Sequence, residues 1–155
     1  MRIGSTAIAV LLLTGALPVF GQESHADLLA GPANVKWGPA PPTLPKGAQF
    51  AVLSGDPSKS GLYVVRLKLP ANYQIPAHHH PTAENVTVLS GSFHAGMGDK
   101  LDRTKAVAFE PGGFAALPAN MNHYAWASRD TVVQVHGEGP FAIVYVNPAD
   151  DPSIQ

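Results

Sequence analysis

The chain contains no cysteine, so no disulfide braces it and no thiolate can serve as a metal ligand. Charged residues are few, 14% of the total, and no cluster of lysine and arginine occurs, which argues against a nucleic-acid partner. No stretch repeats apolar residues at helical spacing, and neither a Ser-His-Asp arrangement nor a Gly-rich phosphate loop is present. The one long apolar run, Ala7 to Leu13, is too short to span a bilayer. It follows Arg2 and leads into Gly15, Ala16 and Pro18, the pattern of a secretory signal peptide over residues 1–21. Cleavage fits after Gly21 or after Ala26, and a retained membrane anchor is the alternative. Export to the periplasm or beyond is therefore expected, with no membrane association once the signal is removed. The remaining chain carries 9 basic against 11 acidic residues, because Arg2 is the one charge removed.

Glycine and proline are abundant, 15 each in 155 residues. They fall between short Val/Leu/Ile/Phe runs and read as turn punctuation of an all-β domain. Residues 22–47 form a Pro-rich arm (Pro32, Pro39, Pro41, Pro42, Pro45) that cannot lie centrally in a sheet. Val35 and Trp37 can tack it onto the domain, or it is a loose tether, with one helical turn at Ala26 to Ala30. Strand-like runs follow at 49–53, 62–69, 85–89, 92–97, 106–109, 114–117, 123–127, 131–136 and 141–146, the spacing of a sandwich or closed barrel over residues 48–148. Residues 149–155 form a tail. The arm or an exposed sheet edge offers a route to a homodimer.

The chemistry concentrates in one stretch, Tyr73 to Glu84. In a strand, residues i and i+2 share a face, so His78 and His80 can bind one ion while His79 points away. Pro81 ends that strand, and a three-residue turn returns Glu84 beside the imidazoles. His123 opens a later strand and supplies a third imidazole if that strand pairs nearby. Three neutral imidazoles and one carboxylate suit one divalent transition ion such as Mn, Fe, Ni or Zn. On an octahedral ion they leave two adjacent places open, whereas a tetrahedral zinc would be filled. Read alone, the three-His run also suits a tag-like surface cluster.

These residues resemble the cupin superfamily. Its first motif has Gly, five residues, His-x-His, three residues, Glu, six residues and Gly; here Asn72 stands for the first Gly, and His78, His80, Glu84 and Gly91 fit without a gap. Its second has Gly, five residues, Pro, one residue, Gly, two residues, His, three residues and Asn; here Gly112, Pro118 and His123 fit, Asn120 stands for Gly, and Ala127 for Asn. Asparagine tolerates the left-handed turns that glycine would occupy. The resemblance covers roughly Gln49 to Val146, and the chain is similar to small exported single-domain bacterial cupins. It implies a cupin-type β-barrel (double-stranded β-helix or jelly roll) and a metal held by His78, His80, Glu84 and His123. It specifies the reaction weakly, since cupins include dioxygenases, oxalate-degrading enzymes, isomerases, storage proteins and sensor domains.

Around that centre, Ala125 and Ala127 share the face of His123, while Tyr124 and Trp126 face the other way and pack. Gln134 and His136, polar residues in an apolar strand, either line the pocket as hydrogen-bonding or proton-moving groups or mark a solvated face. The first is the expectation carried forward, with both as catalytic candidates. His94 reads as a satisfied histidine, and Met97 and Met121 as cavity-mouth or gap-filling residues. Arg66 and Lys68 point away from the apolar face, so no anion clamp exists and a phosphorylated sugar is a poor substrate. Two functions compete: a metal-dependent oxidoreductase, dioxygenase- or oxalate-enzyme-like, acting on a small oxygen-bearing molecule; and a non-catalytic module that binds or senses metal or a small ligand.

Overall fold

The computed structural model describes residues 31–154. The expected signal peptide, both cleavage points and the turn at Ala26 to Ala30 lie outside the described residues. Among the described residues eleven strands run in chain order: β1 Gly38–Pro39, β2 Gln49–Ser54, β3 Gly61–Leu69, β4 Gln74–His79, β5 Glu84–Ser90, β6 Phe93–Met97, β7 Val107–Phe109, β8 Phe114–Leu117, β9 His123–Ala127, β10 Thr131–Gly139 and β11 Val144–Tyr145. They form two antiparallel sheets, one ordered β1-β2-β3-β10-β5-β8, the other β11-β4-β9-β6-β7. The fold is the all-β barrel expected.

Period-2 alternation builds the core between the sheets. In β3, Tyr63, Val65, Leu67 and Leu69 turn inward, and β10 answers with Val133 and Val135, β5 with Val86 and Val88. β9 is buried on both faces. Ala125 and Ala127 join the main core, while Tyr124 and Trp126 pack outside with Ala77, Leu101 and Ala106. Tyr124 donates to the Asp102 carbonyl at 2.9 Å, so the 100–106 loop closes over that outer face.

The arm, over its described part, is tied to the domain. β1 pairs with β2 at the sheet edge, where a proline is tolerated. Lys68 Nζ sits 4.4 Å over the Trp37 ring, and Leu44 enters the core. Tyr145 donates to the Thr43 carbonyl at 2.7 Å. The strand expected over 141–146 shortens to β11. Phe141 to Ile143 instead form a strap, in which the Phe141 N–H donates to the Pro57 carbonyl at 2.7 Å and the Ala142 carbonyl turns to an imidazole.

Four motif positions carry left-handed backbone, Gly112 at φ 90° among them. Asn72 has φ 67° and Asn120 φ 59°, as their replacement of glycine implied. Gly91 has φ 85°, and a Cβ there would lie 2.3 Å from the Asp130 carbonyl oxygen and 2.6 Å from the Thr131 Cα. Those neighbours are backbone and cannot move aside. Gly91→Ala is expected to destabilise the domain by about 3 kcal/mol, whereas Asn72→Gly stays within about 1 kcal/mol. Urea denaturation of the two variants beside the parent checks this, and equal midpoints for Gly91→Ala and Asn72→Gly would contradict it.

Candidate metal centre

A bulge in β4 creates the centre. Ile75 pairs with Ala125 and His78 with His123, so two residues, Pro76 and Ala77, oppose the single Tyr124. Ile75 faces the core, and unbroken alternation would turn His78 outward. The extra residue restores His78, and with it His80, to the inside, and sends Ala77 to the outer cluster. His79 points away, its Nδ1 3.0 Å from Asn122 Oδ1. Glu84 enters from the first residue of β5 in the other sheet, and His123 from the first residue of β9.

All four side chains are buried. The His78 and His123 ring centroids lie 4.3 Å apart, His78 and His80 5.0 Å, His80 and His123 5.2 Å. One nitrogen from each imidazole falls within 4.8 Å of the others. Glu84 Oε2 stands 3.4 Å from His80 Nε2 and 3.7 Å from His123 Nε2. The residues named from the motifs therefore meet at one point.

Each imidazole is oriented by a backbone carbonyl. His78 Nδ1–H donates to Pro76 at 2.7 Å, His123 Nδ1–H to Met121 at 2.9 Å, and His80 Nδ1–H to Ala142 at 2.7 Å. With the proton placed on Nδ1, each Nε2 keeps its lone pair free whenever its ring is neutral. His80 Nε2 and His123 Nε2 are fully buried and make no hydrogen bond. Buried polar atoms without partners are rare, and two converging beside a carboxylate form a donor set that a divalent cation satisfies. This buried three-His group can bind a metal ion.

Burial, reinforced by the neighbouring His123 and His80, pushes the His78 pKa down to about 3. Burial also lowers that of His123. His80 differs: burial opposes its charge, but Glu84 outweighs this and holds its pKa above the ordinary value. Glu84 in turn is kept below the usual carboxylate range, against its own burial, by His80. Without a metal, His80 and Glu84 thus share the charge while His78 stays neutral.

The centre opens on a cavity of about 30 Å³ (space reached by the centre of a water-sized sphere), walled by apolar side chains such as Leu67, Ile75, Val86, Phe93, Leu117 and Phe141. Leu44 from the arm also lines it. Gln134 and His136 do not, which corrects the expectation. Val133 and Val135 take the inward face of β10, so alternation places Gln134 and His136 outside. Gln134 there accepts a hydrogen bond from Arg66 at 3.1 Å. His94 stacks on Trp126, with centroids 4.8 Å apart. Met97 and Met121 are exposed. Sequence reasoning missed Phe141, which stacks on His80 with centroids 5.2 Å apart. An aromatic residue after a Gly-Pro pair gives no motif by which it could be found.

Residues 25–142 match the family described as the ChrR Cupin-like domain. The chain matches no curated protein. Among solved structures, the polyketide cyclase RemF from Streptomyces resistomycificus is 17% identical, with TM-score 0.65, covering 81% of this chain and 89% of that one. A putative acetylacetone dioxygenase from Methylibium petroleiphilum PM1 is 17% identical, with TM-score 0.59, covering 92% and 90%. An RmlC-like cupin from Shewanella frigidimarina NCIMB 400 is 14% identical, with TM-score 0.54, covering 70% and 87%. At these identities the likeness establishes the fold.

The depressed His78 pKa carries a sign for stability. Between about 3 and 6.5 the unfolded chain binds a proton at this position that the folded chain refuses, so the His78 contribution to stability falls as pH falls through that window and is constant above it. One such proton gives a slope of about 1.4 kcal/mol per pH unit. Metal-free protein is expected to lose denaturant resistance from pH 6.5 to 5, and His78→Asn to lose less. Parallel curves for the two proteins would refute the assignment to His78.

Proposed function

The chain belongs to the ChrR cupin-like family, and from that premise we propose that it is a metal-dependent oxidoreductase acting on a small oxygen-bearing molecule. The observation that carries this reading is the inward set of imidazole nitrogens, each imidazole fixed through its Nδ1, around Glu84 in an apolar cavity. His78, His80 and His123 would hold the ion, with Glu84 as fourth ligand. A bound divalent transition ion would supply Lewis-acid polarisation and, if redox-active, electron transfer.

The chain's own residues do the rest. The carbonyls of Pro76, Met121 and Ala142 keep the imidazoles in one tautomer and orientation. The apolar walls exclude water and strengthen every electrostatic contact within. With the imidazoles neutral on a bound ion, Glu84 would cancel one of the two charges of a divalent ion, and among the described residues no other carboxylate, lysine or arginine lines the cavity. That balance favours a monoanionic oxygen ligand, a carboxylate or an enolate. The fold shared with a putative acetylacetone dioxygenase and a polyketide cyclase is in keeping with such oxygen-rich ligands. The export expected from residues 1–21 belongs to the same proposal.

One observation favours a second reading, a non-catalytic metal- or ligand-binding module. Beyond the proposed ligands, no polar side chain among the described residues lines the cavity, so no separate general base is in place. Oxygen consumption by metal-loaded protein with small diketones, phenols or carboxylic acids separates the two: turnover supports the oxidoreductase, and binding without turnover the module.

The purified chain is expected to carry close to one divalent ion. His80→Ala and His123→Ala should lose it, and Gln134→Ala and His136→Ala should keep it, as elemental analysis reads directly. Equal metal in all five proteins would remove the proposal. Metal affinity should also weaken with falling pH, the loss beginning above 6.5 because the proton that competes first is the one on His80. Titration with zinc from pH 8 to 5 tests this, and an affinity constant across that range contradicts it.

A further inference from the structure

Tyr63 is one of the largest fully buried side chains, 2% exposed, and the metal reading gives it no task. It lies on the inward face of β3, in a row that crosses three strands. Tyr63 pairs with Gly137 of β10, and Gly137 pairs with Glu84 of β5. The residue between the phenol and the carboxylate is thus a glycine. A Cβ at position 137 would lie 3.0 Å from Tyr63 Oη and 3.4 Å from its Cζ, and 2.8 Å from the Ala83 carbonyl oxygen. The phenol therefore occupies the space above Gly137, with its hydroxyl directed across β10 toward the strand that carries Glu84.

The edge of the Tyr63 ring meets Phe141 at 5.8 Å between centroids and 70° between planes, which holds the ring in this lane. Phe141 in turn stacks on His80. No hydrogen bond from the Tyr63 hydroxyl is made among the described residues, although the hydroxyls of Tyr73, Tyr124 and Tyr145 each donate to a backbone carbonyl. The Tyr63 hydroxyl is thus free to donate, and a carboxylate has acceptor sites to spare. Burial, then the charge of Glu84, raises the phenol pKa, so the group stays a neutral O–H donor.

We propose that Tyr63 is a positioning residue for the metal centre, its hydroxyl supplying the outer hydrogen bond that fixes the Glu84 carboxylate once that carboxylate engages a cation, and that Gly137 is the slot through which it reaches. This rests on the reading of His78, His80, His123 and Glu84 as metal ligands. Ligating carboxylates are commonly hydrogen-bonded from outside, and loss of such a partner weakens metal affinity about 10- to 100-fold. Among the described residues Glu84 makes no other hydrogen bond apart from its approach to the imidazoles.

The test compares the wild-type chain with Tyr63→Phe, which keeps the ring and removes one oxygen. Metal-free samples of both are titrated with cobalt(II) alone against a competing chelator, and the visible absorption of the cobalt-loaded proteins is recorded. Tyr63→Phe is expected to bind cobalt about 10-fold or more weakly. Its cobalt bands should shift because the carboxylate is no longer fixed, while the metal-free melting temperature stays close to that of the parent. Equal affinity overturns the proposal, and so does an unchanged cobalt spectrum, because a packing role would not alter the metal's ligand field. If the wild-type chain itself takes up no cobalt, the metal reading falls together with this inference, an outcome distinct from equal binding by both proteins.

Discussion

The centre depends on three backbone carbonyls that would otherwise be ordinary strand and loop atoms. Three imidazoles buried within a few ångströms of one another would repel if charged and would each leave a nitrogen unsatisfied if neutral. The carbonyls of Pro76, Met121 and Ala142 settle half of that problem by accepting from each Nδ1. The other half is left open at Nε2, where the His80 and His123 nitrogens are buried without a partner. Two of these carbonyls lie two residues before the histidine they hold, so the local strand geometry makes the bond. The third arrives from the strap before β11, 62 residues further on. Final orientation of His80 therefore waits on closure of the far end of the chain.

Much of this was legible beforehand because alternation is a strong signal where one face is buried. The inward Tyr63, Val65, Leu67 and Leu69 follow from period 2, as do the two roles of β9, with small residues inside and Tyr124 and Trp126 outside. The spacing of His78, His80, Glu84 and His123 located the centre. Alternation fails where a residue is inserted: counting from Ile75 sends His78 outward, and only the bulge at Pro76 and Ala77, set by the partner strand, reverses it. Gln134 and His136 were misplaced for the opposite reason. Their parity relative to Val133 and Val135 puts them outside, whereas polarity in an apolar strand is the feature that suggests a pocket. The strap and Phe141 were illegible because their position follows from a hydrogen bond to Pro57, a contact of long sequence separation.

The centre also works against the stability of the barrel that holds it. Four ionisable groups replace apolar volume in the main core, and the His78 pKa shows how strongly the interior disfavours charge there. The remainder of the domain offsets this with a continuous apolar cluster joining both sheets, to which the arm adds Leu44. A chain without disulfides has few other means of tolerating such a site. Binding of a cation to the folded state alone would add stability by mass action, so apo and loaded forms should differ in rigidity around β4 and the strap.

The departures from the cupin motifs bear on backbone rather than on ligands. Asn72 and Asn120 occupy left-handed turns where the motifs have glycine, and both use the same conformation to make a contact. The Asn72 N–H donates to the Ala127 carbonyl at 2.8 Å, and the Asn120 N–H to the His80 carbonyl at 2.8 Å. Ala127, which replaces the motif's asparagine, returns a bond from its own N–H to the Tyr73 carbonyl at 2.9 Å. The two motifs are therefore joined at both ends by main-chain bonds, one pair remote from the imidazoles and one adjacent to them. An alanine suffices at 127 because the joint needs its peptide groups and not its side chain. What brings His123 to His78 is this pairing of turns, and it persists through substitutions that leave the turn conformation and its peptide groups unchanged.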